Sequence, residues 1–491
     1  MTEETTDIRK SLLSGLFWVL LANLLVKPFW ILGIEFSVQN SVGTTMYGLY
    51  FEVFSLSYIF NILLDLGVTN FNTRNIAQYP KLVTKHLSGI LSIKLMLLVL
   101  YLVVTFSVGA LLGYSSRQFH LLAWLSLNQF LNSLIIYFRS NFEGLLLFKW
   151  DSLLSVMDRL LMIMICGFLL WGPVDTGEFR IEWFVYAQTA AYIITSATAL
   201  TVLVRRTGMR RLHFNRPFTV AILKKSFPFA LLVLLMASYN RMDPVMLKLL
   251  SPEGMGDYNA GIYAGAFRLL DALTMIVYLV SVPLLPVFAR MTKDRDRRSG
   301  LEDTVRMMTG LVVVFSLTTS VVLWSMNQEL MSLYNGNAED YAKVFRVLIF
   351  CIIPISMTYV FGTLLTAGGQ LKVLNIFASL SLAVNLIVNI VCIPRWGVVG
   401  SAWAALIAQS LMAAAQIVAA IVIYKLHFSM NYILKLILFA LLIIGCTLCA
   451  ATLDWWWMLL VTGGVAMMTS ILLKLIDVKE IRKILIKKND K

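Results

Sequence analysis

Five ionisable side chains, Lys27, Glu52, Arg241, Asp243 and Arg268, stand inside long apolar runs of the sequence. Asp65 and Asp271 sit on two of the same runs, and Arg74 follows Asp65 in the connector beyond it. A charge at the centre of a bilayer costs about 2.5–3.5 kcal/mol on insertion scales, so it is retained where it meets water, a partner or a ligand. Arginine offers a planar fork that matches phosphate oxygens, and lysine acts as a point charge. Lys27, Arg241 and Arg268 therefore predict a wet chamber lined by cations and suited to phosphate or another anion. Glu52, Asp65, Asp243 and Asp271 would tune that field or carry a coupling H+ or Na+. Internal pairing is the other reading of these charges, Lys27 with Glu52 and Arg268 with Asp243 or Asp271, and the two readings are compatible. Arg74 either meets a headgroup arriving from the inner side or obeys the topology rule for basic connectors.

The elements that carry these residues are membrane helices. The chain has 491 residues, 59% hydrophobic and 14% charged, with mean hydropathy +0.79, against about 45–50% apolar and ~25% charged for soluble domains. That excludes an ordinary soluble enzyme, a disordered chain and a nucleic-acid module. Windows long enough to cross about 30 Å of hydrocarbon predict fourteen spans, at 11–34, 46–68, 88–112, 120–138, 152–171, 183–204, 226–247, 262–289, 307–326, 344–367, 373–393, 401–423, 432–452 and 455–473. Of 41 Lys and Arg residues, 29 fall on the side that holds both termini and 5 on the other. The positive-inside rule makes the 29-residue side cytoplasmic. On this count Lys27, Glu52, Arg241, Asp243 and Arg268 share a slab in the outer half of the membrane. Asp158, Arg159, Arg346 and Lys435 read as locally compensated or snorkelling charges, and Lys94 is left open. The tail from Lys474 onward is basic and reads equally as a helix on the inner leaflet or a solvated segment.

Early and late spans share a register. Lys27-Pro28 matches Arg241 and Pro244, Gly48-Leu49-Tyr50 matches Gly261-Ile262-Tyr263, and Thr73-Arg74 matches Ala289-Arg290, at offsets of 213–216 residues. The repeat predicts an all-α polytopic protein with two six-helix lobes, residues 1–217 and 218–425, around a central cavity. Residues 426–491 then add two further spans and the tail. Glu3, Glu4 and Asp7 argue against a signal peptide. No G-x-x-x-x-G-K-[ST] loop supports ATP hydrolysis, and the four His residues lack metal-ligand spacing. Cys446-x-x-Cys449 reads as buried packing rather than a metal pair. No catalytic residue, metal site or cofactor is expected.

Tyr47-Gly48-Leu49-Tyr50, Leu64-Asp65-Leu66-Gly67 and Thr73-Arg74-Asn75-Ile76-Ala77 resemble the opening of polysaccharide flippases in the MOP (MATE-like) superfamily. Gly261-Ile262-Tyr263-Ala264 with Arg268, Pro286 to Arg290, and Asn385, Asn389, Ile393-Pro394, Gly397 and Gly400-Ser401-Ala402 resemble later parts of the same family. The resemblance implies translocation of an undecaprenyl-diphosphate-linked oligosaccharide by alternating access, with no enzymatic step. It implies a monomer in the bacterial inner membrane, working beside polysaccharide-polymerising machinery among membrane lipids and no nucleic acid. In the related lipid II flippases, cations on span 1, after span 2 and on span 8 matter for function, and Lys27, Arg74 and Arg268 occupy comparable places. The alternatives are a cation-coupled exporter of small molecules, whose site would favour carboxylates and aromatics over cations, and a membrane glycosyltransferase or polymerase, which would need a larger external loop.

Overall fold

The computed structural model describes residues 26, 29–69, 72–73, 76, 79, 83–145, 147–172, 179–208, 216–281, 284–293, 300–450 and 454–475. Among them every regular element is a helix. A π-helical turn at Trp30–Glu35 leads into α1 (Phe36–Val42), followed by α2 (Thr44–Ile59) and a 3-10 extension, Phe60–Leu64. Next come α3 (Val83–Leu111), α4 (Ser116–Gly144), α5 (Phe148–Trp171), α6 (Ile181–Thr207), α7 (Arg216–Leu250) and α8 (Gly256–Ser281). The later elements are α9 (Leu284–Lys293), α10 (Leu301–Ser325), α11 (Asn327–Met331), α12 (Ala338–Leu348), α13 (Ile352–Ala367), α14 (Leu371–Tyr424), α15 (Met430–Ala450) and α16 (Trp455–Leu472).

Among the described residues, eleven helices are long and apolar enough to cross a membrane. One of these is α14, whose 54 residues hold two predicted spans joined at Gly397, where φ is 56°. Glycine accepts that left-handed backbone without the Cβ clash other residues meet, so the chain turns there without a loop. Together with α7, which has 35 residues, and a first predicted span that lies mostly outside the described residues, the architecture agrees with about fourteen crossings.

The chain packs as two compact units. One takes in residues 1–272, 334–336 and 389–398, and the other residues 273–333, 337–388 and 399–491. This division by packing differs from the division by repeat register at residue 217, because α7 and most of α8 belong to the first unit. In that unit Val83, Leu87, Ile90, Ile93 and Leu97 form one buried face of α3. Their three- and four-residue spacing is that of a helix stripe, and it meets Tyr137, Phe138 and Phe142 of α4 and Leu203 of α6. In the second unit Val305 and Val312 of α10 pack with Val360, Phe361 and Leu364 of α13, while Phe439 and Ile443 of α15 and Ala466 of α16 cover Val314 and Val321.

Two features position the site. The first is a backbone crossing of α2 and α8 at the repeated glycines. A Cβ on Gly48 would overlap the Asp257 carbonyl, and one on Gly261 would overlap the Thr44 carbonyl. Gln39 Nε2 donates to the Gly261 carbonyl at 3.0 Å across the same crossing. The Gly-x-Tyr repeat is thus a contact in which each copy supplies one glycine, as small-residue helix crossings in membranes require.

The second is the Leu64-Asp65-Leu66-Gly67 motif, a chain reversal in which Leu66 (φ 44°) and Gly67 (φ 80°) are both left-handed. Lys94 of α3 reaches this end of the helix. Its fully buried Nζ donates to the Leu64 carbonyl at 3.2 Å, to Asp65 at 2.8 Å and to Ser133 Oγ at 2.7 Å. Lys94 therefore caps the Leu64 carbonyl at the end of the helix, where backbone acceptors run out of intrahelical partners.

Candidate functional site

Arg268, on α8, is the best enclosed of the described site cations, with its side chain 3% exposed. Its Nε is 3.2 Å from Glu35 Oε2, and the guanidinium lies 4.5 Å from the centre of the Tyr47 ring. Nη1 and Nη2 are both buried and lack a hydrogen-bond partner of good geometry among the described residues, with the Tyr334 side chain close beside the guanidinium. Glu35 closes the π-helical turn. Such a turn widens the backbone hydrogen bond to i→i+5 and brings residues five apart together, so that Trp30 Nε1 donates to Glu35 Oε1 at 3.0 Å. One carboxylate is thus held between an indole and a guanidinium whose outer two nitrogens are uncommitted.

Arg241, on α7, sits over three rings, Phe267 at 4.9 Å, Tyr58 at 5.3 Å and Phe51 at 5.9 Å. Its Nη2 is 3.2 Å from Asp271, whose carboxylate side chain is 45% exposed. A carboxylate that open in mid-helix faces water rather than lipid, given the cost of charge in hydrocarbon. Arg159, on α5, lies 5.6 Å from the Trp30 ring and 3.8 Å from Asp158.

These three arginines rest on one connected set of aromatic rings. Trp30 stacks on Phe184 at 5.7 Å, Phe184 meets Tyr50 at 5.4 Å, and Tyr50 meets Tyr47 at 5.4 Å. Tyr47 continues to Phe51, and Phe51 to Phe267, at 6.4 Å each. Ring faces attract guanidinium electrostatically, by about 0.5–2 kcal/mol depending on desolvation. The bed therefore holds the three cations oriented in low-dielectric surroundings, each beside one carboxylate, Glu35, Asp271 or Asp158.

The carboxylates are partnered differently from the pairings expected. Arg268 pairs with Glu35, not with Asp243 or Asp271. Asp243 accepts from Tyr263 and from Asn389 Nδ2, each at 2.8 Å, and Asp271 pairs with Arg241. The physical reason is azimuth: depth along a helix places groups in one slab, but the side of the helix they face decides their partner. Glu52 is fully buried and accepts from the Tyr114 hydroxyl and from Gln118 Nε2 at 3.2 Å. Gln118 is itself fixed by the capping box it forms with Ser115 at the start of α4. Asp65 belongs to the Lys94 clamp and also accepts from the Thr69 hydroxyl. Lys27, Arg74 and the tail beyond Leu475 lie outside the described residues. Arg346 does not simply snorkel, because its Nε donates to Asn327 at 2.9 Å. Cys446 is half-buried and Cys449 exposed, so the C-x-x-C is not the buried packing pair expected.

Glu35 and the ring set are the groups at this candidate site that sequence reading missed. Glu35 falls one residue beyond the predicted first span, where a charge attracts no notice. Tyr47, Phe51, Phe54 and Tyr58 recur at helical spacing on α2, a stripe that hydropathy counts simply as apolar.

Compared with known proteins, the model of a family described as polysaccharide biosynthesis protein matches residues 12–292, more than half of the chain. Among solved structures, the fold is similar to that of lipid II flippase MurJ in an inward closed conformation, with TM-score 0.65 and 14% identity over 96% of this chain and 98% of that one. It is equally similar to an inward-facing multidrug resistance MATE family transporter, with TM-score 0.65 and 14% identity over 83% and 98% of the two chains. A MOP superfamily transporter from Pyrococcus furiosus gives TM-score 0.59 at 12% identity, over 85% of this chain and 96% of that one. No curated protein matches the sequence. The fold is thus the all-helical one these solved flippase and transporter structures share. By its sequence, the chain belongs to the polysaccharide biosynthesis protein family.

Proposed function

We propose that this protein carries an undecaprenyl-diphosphate-linked oligosaccharide from the cytoplasmic to the outer leaflet by alternating access. Arg74 meets the headgroup arriving from the inner side, and the diphosphate then docks on Arg268 and Arg241, joined by Lys27, while the polyprenyl chain stays in lipid between helices. The observation that carries this reading is the Arg268 guanidinium, buried on Tyr47 with Nη1 and Nη2 unsatisfied among the described residues. Burying such donors without a partner is costly, and a bidentate phosphate supplies acceptors in matching geometry. Family membership supports the saccharide cargo, and the inward-facing relatives support a carrier that opens to one side at a time. Glu35 acts as the internal counter-ion that holds Arg268 until the diphosphate replaces it. Asp65, Asp243 and Asp271 are the candidates for H+ or Na+ coupling. The protein works as a monomer in the bacterial inner membrane with both termini cytoplasmic, next to the polymerising machinery.

Reconstitution in liposomes tests the reading. The wild-type chain should move an undecaprenyl-diphosphate oligosaccharide across the bilayer, and Arg268→Gln and Arg241→Gln should abolish that movement at unchanged membrane abundance. Movement at the wild-type rate by both variants would refute the role of the cations.

A further inference from the structure

A second polar site lies apart from the arginine bed. Where α1 ends and α2, α4 and α6 begin, the first unit contains a groove of about 860 Å³. That is within the ~300–1,000 Å³ typical of small-molecule sites. Its chemistry comes from Arg117, His120, Arg180, Glu182, Trp183 and Tyr186.

The groups are braced against one another. Arg117 Nη2 lies 2.8 Å from Glu182 Oε1, and Arg117 Nε donates to the same oxygen at 2.9 Å. Glu182 Oε2 is buried and has no hydrogen-bond partner among the described residues. His120 Nε2 and the Tyr186 hydroxyl share a hydrogen bond of 2.9 Å. Trp124 packs edge-on against the Tyr186 ring at 4.8 Å, and Phe179 meets Trp183 edge-on at 6.0 Å. The helix starts thus fix an aromatic pair, a phenol–imidazole pair and a carboxylate with one oxygen uncommitted.

We infer that this groove is a saccharide-binding site, which on the transport reading receives the sugar chain at the outer face. A sugar ring has an apolar C–H face that lies against indole and phenol rings, which are amphipathic contact surfaces, and a rim of hydroxyls that exchange hydrogen bonds with phenol and imidazole and accept from guanidinium, while Glu182 holds Arg117 in place. Lipid phosphate is the poorer fit, because Glu182 already matches the charge of Arg117. Arg180 supplies the cation for an acidic sugar. The lining is mostly polar, and its volume exceeds what one ring fills. The charge bias that sets both termini inside places this end of α2, α4 and α6 outside.

The test uses the full-length chain in nanodiscs and saturation-transfer NMR. The probes are maltotriose, chitotriose and a trisaccharide of uronic acid, with glycerophosphoglycerol and glycerophosphoethanolamine as headgroup mimics. At least one trisaccharide should receive transfer, weakened about fivefold or more in Trp183→Ala and in Glu182→Gln, as expected for loss of one polar or stacking contact. Arg268→Gln should leave that transfer unchanged. Where Trp183→Ala fails to fold, Tyr186→Phe and Glu182→Gln serve instead. Transfer to the headgroup mimics alone, to no probe, or unchanged in the groove variants overturns the inference. Parallel liposome assays separate the two claims. Lipid-linked saccharide movement without sugar binding sinks the groove and leaves the transport reading, and sugar binding without movement does the reverse.

Discussion

Replacing Glu35 by Gln should tighten anion binding and destabilise the empty protein. In the empty state Arg268 has one ionic partner among the described residues, Glu35 at 3.2 Å, and that carboxylate is itself held by Trp30. A diphosphate must take over the guanidinium from this partner. A hydrogen bond to a charged group contributes about 1.5–3 kcal/mol net. Glu35 is 23% exposed, so solvent screening puts the competition near the lower part of that range. The neutral amide of Glu35→Gln removes most of it, and each 1.4 kcal/mol is tenfold in affinity, so pyrophosphate should bind about tenfold more tightly. Without anion the variant leaves the buried Arg268 charge uncompensated and should melt below the wild type. With saturating pyrophosphate the difference should shrink or reverse. Calorimetric titration and thermal unfolding of the purified full-length chain read both signs. Equal or weaker pyrophosphate binding by Glu35→Gln, alongside a clear loss in Arg268→Gln, would refute the counter-ion argument. It would leave Arg268 as the anion ligand.

Other consequences follow from the same geometry. Lys94→Met removes the cap on the Leu64 end and leaves Asp65 facing an apolar side chain, so stability should fall by about 3 kcal/mol, at the low end for breaking a buried pair. Adding Asp65→Asn should recover part of that loss in a thermal melt. Gly261→Val drives a side chain into the Thr44 carbonyl and should separate α2 from α8. Loss of a cysteine cross-link between these helices, with expression retained, would show it, and an intact cross-link would count against the crossing as a packing constraint. Arg241→Lys keeps the charge but loses the planar group that lies over Phe51, Tyr58 and Phe267, so transport should fall well below the wild type without reaching the level of Arg241→Gln.

Much of the architecture was legible because membrane spans announce themselves by apolar length. The join between the spans at 373–393 and 401–423 was legible too, since the break at Gly397 falls in the gap predicted between them, although a left-handed glycine makes it rather than a polar loop. From sequence, a shared depth for Arg241, Asp243 and Arg268 could be predicted, because depth depends only on rise per residue. Partners could not, because Arg268 and Asp271 share one helix yet pair with different elements, α1's leading turn and α7. Glu35 escaped notice for a related reason. Its importance comes from the π-helical turn that swings it back over Trp30, and nothing in composition marks such a turn. The repeated Gly48 and Gly261 were visible as a motif, but only the fold shows that the two copies touch one another.

The central claim is that Arg268 and Arg241 receive a diphosphate on an aromatic bed. An experimental structure of the full-length chain in nanodiscs with undecaprenyl diphosphate tests it most directly. The account predicts phosphate density within hydrogen-bond distance of Arg268 Nη1 and Nη2, with Glu35 withdrawn from Nε. Bound diphosphate elsewhere, with the Arg268–Glu35 pair intact and both Nη atoms still bare, would contradict it.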